Sequence, residues 1–353
     1  LNGKIKLNEV PGLYYYDQSG EIKLNKSAQL IENLDVELSG QDFHLLDMSK
    51  YKAHNWHCFD DLSSRNSYAS IQTSLGCPFK CTFCCINAPF NSNKIRFWSH
   101  KCVEQQMITL KDKYNIKNIK IPDEMFVLNP KQVNEICQMI IANDFQFNMW
   151  AYARIDTLQN LEMLKNMKKA GINWLGIGIE SGSDYVRDGV TKGSFTIDAV
   201  HDTIKRVRDL GFHIGANYIF GLPDENFSSM QETLDLALKV NAEWSNFYCA
   251  MAYPGSNLHF EARKNNIMLP ESEGGPGWIG YSQHSYESLP LKTKHLKASE
   301  VLDFRDNAFN EYFSNADYQG MLKKRFNNEA VDHIKQMLEI KLKRKHHFQE
   351  VKY

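Results

Sequence analysis

The sequence predicts an α/β fold in which about six parallel strands alternate with helices. From position 70 onward, short apolar segments alternate with amphipathic ones, which is typical of a parallel sheet with right-handed crossovers. Continuous apolar runs such as 175–179 fit strands that are buried on both faces. Two fold types agree with this pattern, a doubly wound sheet and a barrel. Both bind ligands at the carboxyl ends of their strands.

The individual elements follow from hydrophobic periodicity and from residues that start or stop helices. Pro130 stands at the first position of a helix, and Gly171 and Gly211 each follow the last turn of one. The predicted strands are 68–75, 116–121, 147–152, 174–179, 213–220 and 244–251. The predicted helices between them are 99–114, 130–143, 158–170, 196–210 and 228–240.

Both flanks of this alternating segment have a different character. Residues 1–67 show no repeating pattern, so we expect an irregular connector there. Residues 68–270 form the predicted core. Residues 271–353 predict a long loop, with Tyr281 and His284 as candidate polar contacts near the barrel mouth, and then a helical extension that includes 301–313 and 329–344. Long loops in compact proteins often cover a bound molecule.

Composition limits the class of protein. The chain has 353 residues, 42% of them hydrophobic, and a formal net charge of −1, so nothing indicates a nucleic-acid or anionic-membrane partner. The sequence has no apolar run of the length that spans a bilayer and no order of residues typical of a secretory signal. We therefore expect a cytoplasmic protein whose thiols stay reduced.

Four of the eight cysteines lie between positions 77 and 85, and this cluster requires a chemical explanation. Cys77, Cys81 and Cys84 are separated by three and then two residues, so one short loop can bring three thiolates to a metal centre. Thiolates suit iron–sulfur clusters and zinc, and three ligands leave one position open. An iron–sulfur cluster with one open iron fits this pattern. The alternatives to it are a zinc site completed by a distant residue and buried free thiols. Cys85 is adjacent to Cys84 and is not expected to face the same centre.

The spacing Cys-x3-Cys-x2-Cys after a first strand, with Phe83 before the last cysteine, resembles the signature of the radical S-adenosylmethionine (SAM) superfamily. The resemblance implies a partial (β/α)6 TIM-like barrel with an N-terminal irregular segment and a C-terminal helical extension. It also implies a [4Fe–4S] cluster on Cys77, Cys81 and Cys84, whose fourth iron is chelated by SAM. Phe83 is then expected beside the SAM adenine.

Further motifs after successive strands are similar to those of the same family. Asp123-Glu124-x-Phe126 resembles the motif of the cobalamin-associated branch, where Asp123 or Glu124 accepts hydrogen bonds from the SAM ammonium; a solvated acidic turn is the alternative. By the same resemblance, Glu180, followed by Ser181, binds the ribose.

The SAM carboxylate has two candidate partners. Lys192 stands where some relatives have Arg, although Lys lacks the bidentate fork, and Arg154 is its rival. Asn217, before a Gly-Leu-Pro-x-Glu strand end, is expected near the ribose and adenine.

The resemblance implies an enzyme that reductively cleaves SAM to a 5′-deoxyadenosyl radical. It needs an electron donor of the flavodoxin or ferredoxin type, because the cofactors carry this chemistry. The sequence identifies neither the substrate, a small molecule or a peptide, nor a catalytic side chain. Two other classes stay open: a non-catalytic metal-binding protein, and an ordinary SAM methyltransferase, which normally has a glycine-rich loop after its first strand.

Residues 1–67 resemble the connector that follows a cobalamin-binding domain in one branch of the superfamily. Pro11-Gly12-Leu13-Tyr14 and Asn33-Leu34-Asp35 carry this similarity. The chain has no Asp-x-His-x-x-Gly motif for a cobalt ligand, and it begins at Leu1 rather than Met. We therefore expect that a cobalamin domain precedes Leu1 in the full-length protein and that cobalamin is a further cofactor; the alternative is a cobalamin-independent enzyme.

Overall fold

A computed structural model of the protein describes residues 5–191, 193 and 195–346. The chain divides into two compact units, Leu1–Ser39 and Gly40–Tyr353. In the first, β1 (Tyr14–Tyr16) and β2 (Ile22–Leu24) form an antiparallel hairpin, and a one-turn helix, α1 (Leu34–Glu37), follows. The carboxylate of Asp17 accepts hydrogen bonds from the backbone N–H groups of Ser19 and Glu21, which closes the hairpin turn.

The second unit is organised around one parallel sheet. The strands of this unit are β3 (Tyr68–Ser70), β4 (Ser74–Leu75), β5 (Arg96–Phe97), β6 (Asn118–Ile121), β7 (Asn148–Arg154), β8 (Ile172–Glu180), β9 (His213–Phe220) and β10 (Trp244–Cys249). β4 and β5 pair with each other, and the other six form a parallel sheet in the order β10-β9-β8-β7-β6-β3. Because this order never reverses, the sheet curls in one direction and forms a half-barrel. The predicted partial (β/α)6 TIM-like barrel is confirmed, and a doubly wound sheet is excluded.

Helices cover the outer face of the half-barrel and extend its C-terminal end. They are α2 (His100–Tyr114), α3 (Pro130–Ala142), α4 (Leu161–Lys169), α5 (Asp184–Gly189), α6 (Ile197–Asp209), α7 (Phe227–Val240), α8 (Asn257–Lys264), α9 (Ala298–Ser314), α10 (Ala316–Arg325) and α11 (Asn328–Glu339). Ser99, Asn129 and Asn160 cap the helices that follow them, each accepting a backbone N–H. None of the helices in the described residues is long and apolar enough to cross a membrane.

The two faces of the sheet differ in chemistry. Ile119 and Ile177 point outward and are fully buried beneath the helices. On the concave face, Tyr152, Asn217 and Asn246 line a cavity instead. Since side chains alternate between the faces of a strand, each strand contributes one row to the apolar core and one row to the barrel interior.

The structure adds three short elements that were not predicted, β5, α5 and α8, and it changes the bounds of two predicted ones. The predicted first strand leaves the sheet after Ser70, because Thr73 and Ser74 turn away to bind the Asp123 carboxylate. The predicted helix 329–344 ends at Glu339, and a separate helix, α10, precedes it. In the loop 271–290, the Tyr281 hydroxyl donates to the Glu271 carboxylate at 2.6 Å, which fixes the loop.

Candidate functional site

The cysteine loop leaves β4 and returns at β5, and backbone contacts fix its shape. The side chain of Asn87 accepts from the Cys77 N–H at 3.2 Å and donates to the carbonyls of Cys77 at 2.8 Å and Phe79 at 3.2 Å. The turn that begins the loop requires glycine: Gly76 has φ +92°, and a Cβ there would lie 2.5 Å from the Lys94 carbonyl oxygen. These contacts fix the conformation of the loop.

The far side of the loop is tied to segments that follow β8 and β10. The Thr82 N–H donates to the Val190 carbonyl at 3.1 Å, and the Thr82 carbonyl accepts from the Leu258 N–H at 3.0 Å. The Thr191 hydroxyl donates to the Lys80 carbonyl at 2.8 Å. Since both segments start at carboxyl ends of strands, the cysteine loop lies over the edge where ligands of parallel barrels bind.

The three spaced thiols fit an iron–sulfur cluster chemically. Burial raises the pKa of Cys77, and it raises the pKa of Cys84 to about 11; in both cases the charge of Cys81 adds to the effect, so the three groups lie within electrostatic reach. Within the described residues, no three His, Cys, Asp or Glu side chains are arranged as a set of metal ligands. A cationic metal centre would offset the mutual repulsion of three thiolates.

The two acidic residues after β6 have different surroundings. Asp123 is fully buried, and its oxygens accept from the Thr73 N–H at 2.8 Å, the Thr73 hydroxyl at 2.6 Å and the Ser74 hydroxyl at 2.8 Å. Burial raises the pKa of Asp123 to about 6, although these donors oppose the shift. Glu124 has a buried Oε2 with no hydrogen-bond partner among the described residues; burial raises the pKa of Glu124, although backbone hydrogen bonds from Glu124 itself and from Gly76 oppose the shift. A ligand donor would satisfy Glu124, whereas Asp123 already holds the start of the cysteine loop.

Arg154 ends β7 directly beneath the cysteine loop. Its Nε and Nη2 donate to the two carboxylate oxygens of Asp156 at 2.9 and 2.8 Å. Its guanidinium lies 3.9 Å from the centre of the Phe79 ring, and its Nη1 lies 3.7 Å from the Cys81 sulfur. Nε and Nη2 of Arg154 therefore form a bidentate pair with Asp156, and Nη1 faces the Cys81 thiol.

Glu180 ends β8 in an unusual backbone conformation. Its φ is +70°, and the register with β9 shifts between Gly178 and Glu180. A non-glycine residue in this region costs about 1–3 kcal/mol, and such strain clusters at functional sites. The neighbouring Ser181 is fully buried, and its hydroxyl lies 3.2 Å from the Thr233 hydroxyl and 3.4 Å from the Glu225 carboxylate. Ser181 thus anchors the strand end to α7.

Phe83 and Asn217 complete the predicted set of cofactor residues. Phe83 packs between two small apolar clusters that follow β8, β9 and β10. Asn217 donates to the Ile177 carbonyl at 3.4 Å, accepts from the Asn246 side chain at 2.9 Å, and lines the concave cavity. Lys192 lies outside the described residues.

Sequence reasoning did not assign roles to two buried charged residues that shape this edge. Glu225 accepts from the N–H groups of Gly221 and Leu222 at 2.6 and 3.0 Å, which fixes the turn after β9. Arg187 is fully buried and donates to the Ser181 carbonyl at 2.5 Å and the Phe195 carbonyl at 2.8 Å. Glu225 is the last residue of the Gly-Leu-Pro-x-Glu motif, so its importance could have been predicted from the sequence. Arg187 belongs to no motif.

Fold and site together define a half-barrel with a three-cysteine loop over the carboxyl edge of its sheet. Residues 71–237 match the family described as the radical SAM superfamily. Residues 71–237 therefore carry a radical SAM domain.

Two curated methyltransferases are similar in sequence to this chain. The chain is 27% identical over 298 residues to an uncharacterized methyltransferase of Pyrococcus horikoshii, covering 84% of this chain and 60% of the relative. It is 25% identical over 297 residues to the cytidylyl-2-hydroxyethylphosphonate methyltransferase of Streptomyces wedmorensis, covering 77% and 55%. The chain thus spans little more than half the length of these relatives.

Two solved structures share the fold. The cobalamin-dependent SAM radical enzyme OxsB, with aqua-cobalamin bound, matches with a TM-score of 0.66 and 17% identity, over 95% of this chain and 52% of that chain. The radical SAM methyltransferase TsrM from Kitasatospora setae, with cobalamin and a [4Fe–4S] cluster bound, matches with a TM-score of 0.57 and 16% identity, over 75% and 50%. At these identities the likeness concerns the fold alone.

Proposed function

We propose that this chain reductively cleaves SAM at a [4Fe–4S] cluster held by Cys77, Cys81 and Cys84, and that the resulting radical acts on a substrate not yet identified. The observation that carries the proposal is the fixed cysteine loop over the carboxyl edge of a radical SAM half-barrel. Held by these three thiolates and reduced, such a cluster would supply one electron to the SAM sulfonium, so that its carbon–sulfur bond would break to give methionine and a 5′-deoxyadenosyl radical. A flavodoxin- or ferredoxin-type protein is the proposed source of the electron.

The residues around the loop have separate tasks in this proposal. Glu124 accepts hydrogen bonds from the SAM ammonium through its unsatisfied oxygen, and Glu180 accepts them from the ribose hydroxyls. Phe83 packs beside the adenine, and Asn217 lies near the ribose and adenine. Asp123 and Ser181 hold the loop and the strand end in place, so we assign them positioning roles.

The cationic residues are proposed to face the anionic end of the cofactor. Arg154 keeps one nitrogen directed at the cysteine loop, so it stabilises negative charge there rather than forming a second bidentate pair. Lys192 remains a proposed partner of the SAM carboxylate. Residues 68–270 are the proposed catalytic core, with 1–67 as a connector and 271–353 as an extension, and the matched family segment lies within that core.

Replacement of single cysteines tests the ligand set. Anaerobic reconstitution of the wild-type chain should give about four irons per chain and a brown absorbance. Cys81→Ala should lose the cluster, because Cys81 is one of three ligands, whereas the matched control Cys85→Ala should keep it. A full complement of iron in the Cys81→Ala protein would refute the assignment.

A second candidate function is cobalamin-dependent methyl transfer by a longer protein. Relatives of Pyrococcus and Streptomyces are named methyltransferases, and OxsB and TsrM are described with cobalamin bound. We propose that the upstream domain, if the gene encodes one, binds this cofactor. Retention of added hydroxocobalamin by the full-length protein, together with S-adenosylhomocysteine as a product, favours this candidate over hydrogen abstraction alone.

A further inference from the structure

The segment that follows β10 packs directly on the second half of the cysteine loop. The Leu258 N–H, in the first turn of α8, donates to the Thr82 carbonyl at 3.0 Å. Gly255 has φ +91°, and a Cβ there would lie 2.4 Å from the Cβ of Ala88. These two contacts fall on either side of Cys84 in the sequence, so the segment supports the loop around that cysteine.

Phe83, the residue before Cys84, extends this contact into an apolar cluster. Its ring packs against buried side chains that include Leu258 of α8 and Leu269, which follows that helix. Because the interior of a protein is close-packed, a shift of one member of such a cluster moves its neighbours. The position of Phe83 therefore depends on how α8 and the segment around Leu269 are held together.

Three hydrogen-bonded side chains, His259, Glu271 and Tyr281, hold these two elements together, and we call them the clamp. His259 Nε2 lies 2.6 Å from Glu271 Oε1, and the Tyr281 hydroxyl donates to Glu271 Oε2 at 2.6 Å. Since an ionised carboxylate only accepts hydrogen bonds, Nε2 of His259 carries the proton of its contact. The Tyr281 hydroxyl also lies 3.2 Å from the carbonyl oxygen of Ala252, shortly after β10.

The clamp is largely shielded from water. The side chains of His259 and Glu271 are 12% and 25% exposed. Tyr281 is buried, and its ring stacks on Tyr253 with the ring centres 5.5 Å apart. Hydrogen bonds of an ionised group contribute more in such surroundings than at an exposed surface. The loop 271–290 is therefore anchored to α8 at its beginning.

We propose that the clamp is a set of positioning residues for SAM binding: it holds α8 against the segment 267–281 and thereby fixes Phe83 and the loop around Cys84. Leu258 and Leu269, which pack on Phe83, lie one and two positions before the clamp residues of their segments. The inference rests on the proposed function, in which Phe83 packs beside the adenine. Because the clamp acts through Phe83, it sets the affinity for SAM and leaves the cleavage step unchanged.

Hydrogen exchange of the chain without cluster or SAM tests the support of the loop. Glu271→Ala removes the acceptor of two hydrogen bonds, so the Leu258 amide, which joins α8 to the cysteine loop, should exchange about tenfold faster. The Cys77 amide, held at the other end of the loop, should exchange at the wild-type rate. Glu261→Ala, at an exposed position of the same helix, is the matched control and should change neither rate.

The affinity for SAM tests the effect on the proposed activity. In the reconstituted protein, Glu271→Ala should raise KM for SAM about tenfold and leave kcat for 5′-deoxyadenosine formation unchanged. Glu271→Gln should restore most of the affinity, because its amide oxygen can accept from His259 while its amide nitrogen donates to the Tyr281 hydroxyl. Equilibrium dialysis and mass spectrometry measure these quantities.

Tyr281→Phe is a milder variant for the case in which circular dichroism shows that Glu271→Ala does not fold. It keeps the ring that stacks on Tyr253 and removes only the hydroxyl, so it should speed exchange at Leu258 and weaken SAM binding about threefold. Combined with Glu271→Ala it should add little, since the two residues act as one unit.

A wild-type exchange rate at Leu258 in the folded variants, Glu271→Gln as weak in SAM binding as Glu271→Ala, or a loss of kcat with unchanged affinity would overturn the inference. The exchange experiment needs neither cluster nor SAM. A wild-type protein that leaves SAM intact therefore contradicts the proposed function alone, whereas unchanged exchange contradicts the clamp alone.

Discussion

At the scale of single residues, the surroundings of Asp123 and Glu124 separate the roles of two neighbouring acids. The sequence identified the pair because it follows a strand in a recognisable motif. It did not show which carboxylate is available to a ligand, because the partners of Asp123 are Thr73 and Ser74, about fifty residues earlier in the chain. Only the fold brings these donors to Asp123 and leaves Glu124 with an unsatisfied oxygen.

The matched substitutions Asp123→Ala and Glu124→Ala should affect different properties, stability in the first case and SAM binding in the second. Asp123→Ala removes the acceptor of three buried hydrogen bonds and should lower the free energy of unfolding by about 3 kcal/mol, with poorer iron incorporation. Glu124→Ala should change stability by less than about 1 kcal/mol and weaken SAM binding about tenfold. Urea unfolding, iron analysis and equilibrium dialysis measure these outcomes; the reverse pattern would exchange the two roles.

At the scale of elements, strand β8 and the turn that follows it organise the proposed ribose site. The sequence predicted this strand within two residues at its start and one at its end, since its apolar run is unambiguous. The positive φ of Glu180 was not predictable, because it depends on how Ser181 is anchored to α7. The same reason explains the broken first strand: its departure after Ser70 is caused by a distant carboxylate.

Gly182 tests how closely this turn packs on α7. A Cβ at Gly182 would lie 2.4 Å from the Glu232 carbonyl oxygen, so Gly182→Ala should force the turn away from the helix. We expect a loss of about 1–3 kcal/mol in the free energy of unfolding and weaker SAM binding. Gly320→Ala is the control: it lies in α10 with nothing near its Cβ, and it should stabilise the protein by about 0.5–1 kcal/mol. Equal stability of both variants would show that the turn is not tightly packed.

At the scale of the whole molecule, the order of strands decides both fold class and site. Sequence periodicity could not separate a barrel from a doubly wound sheet, because both contain the same alternation of elements. The observed order β10-β9-β8-β7-β6-β3 creates a concave face that lines a cavity. The cysteine loop was predictable since its ligands are local, whereas the cavity is assembled from segments far apart in the chain.

The most direct test of the central claim is the fate of SAM on the reduced protein. The anaerobically reconstituted chain is incubated with dithionite and SAM, and 5′-deoxyadenosine and S-adenosylhomocysteine are quantified by mass spectrometry. We expect 5′-deoxyadenosine from the wild-type protein, none from Cys81→Ala, and less from Glu180→Ala at limiting SAM, with its cluster intact. Unchanged SAM after incubation with a wild-type protein that carries about four irons per chain would contradict it.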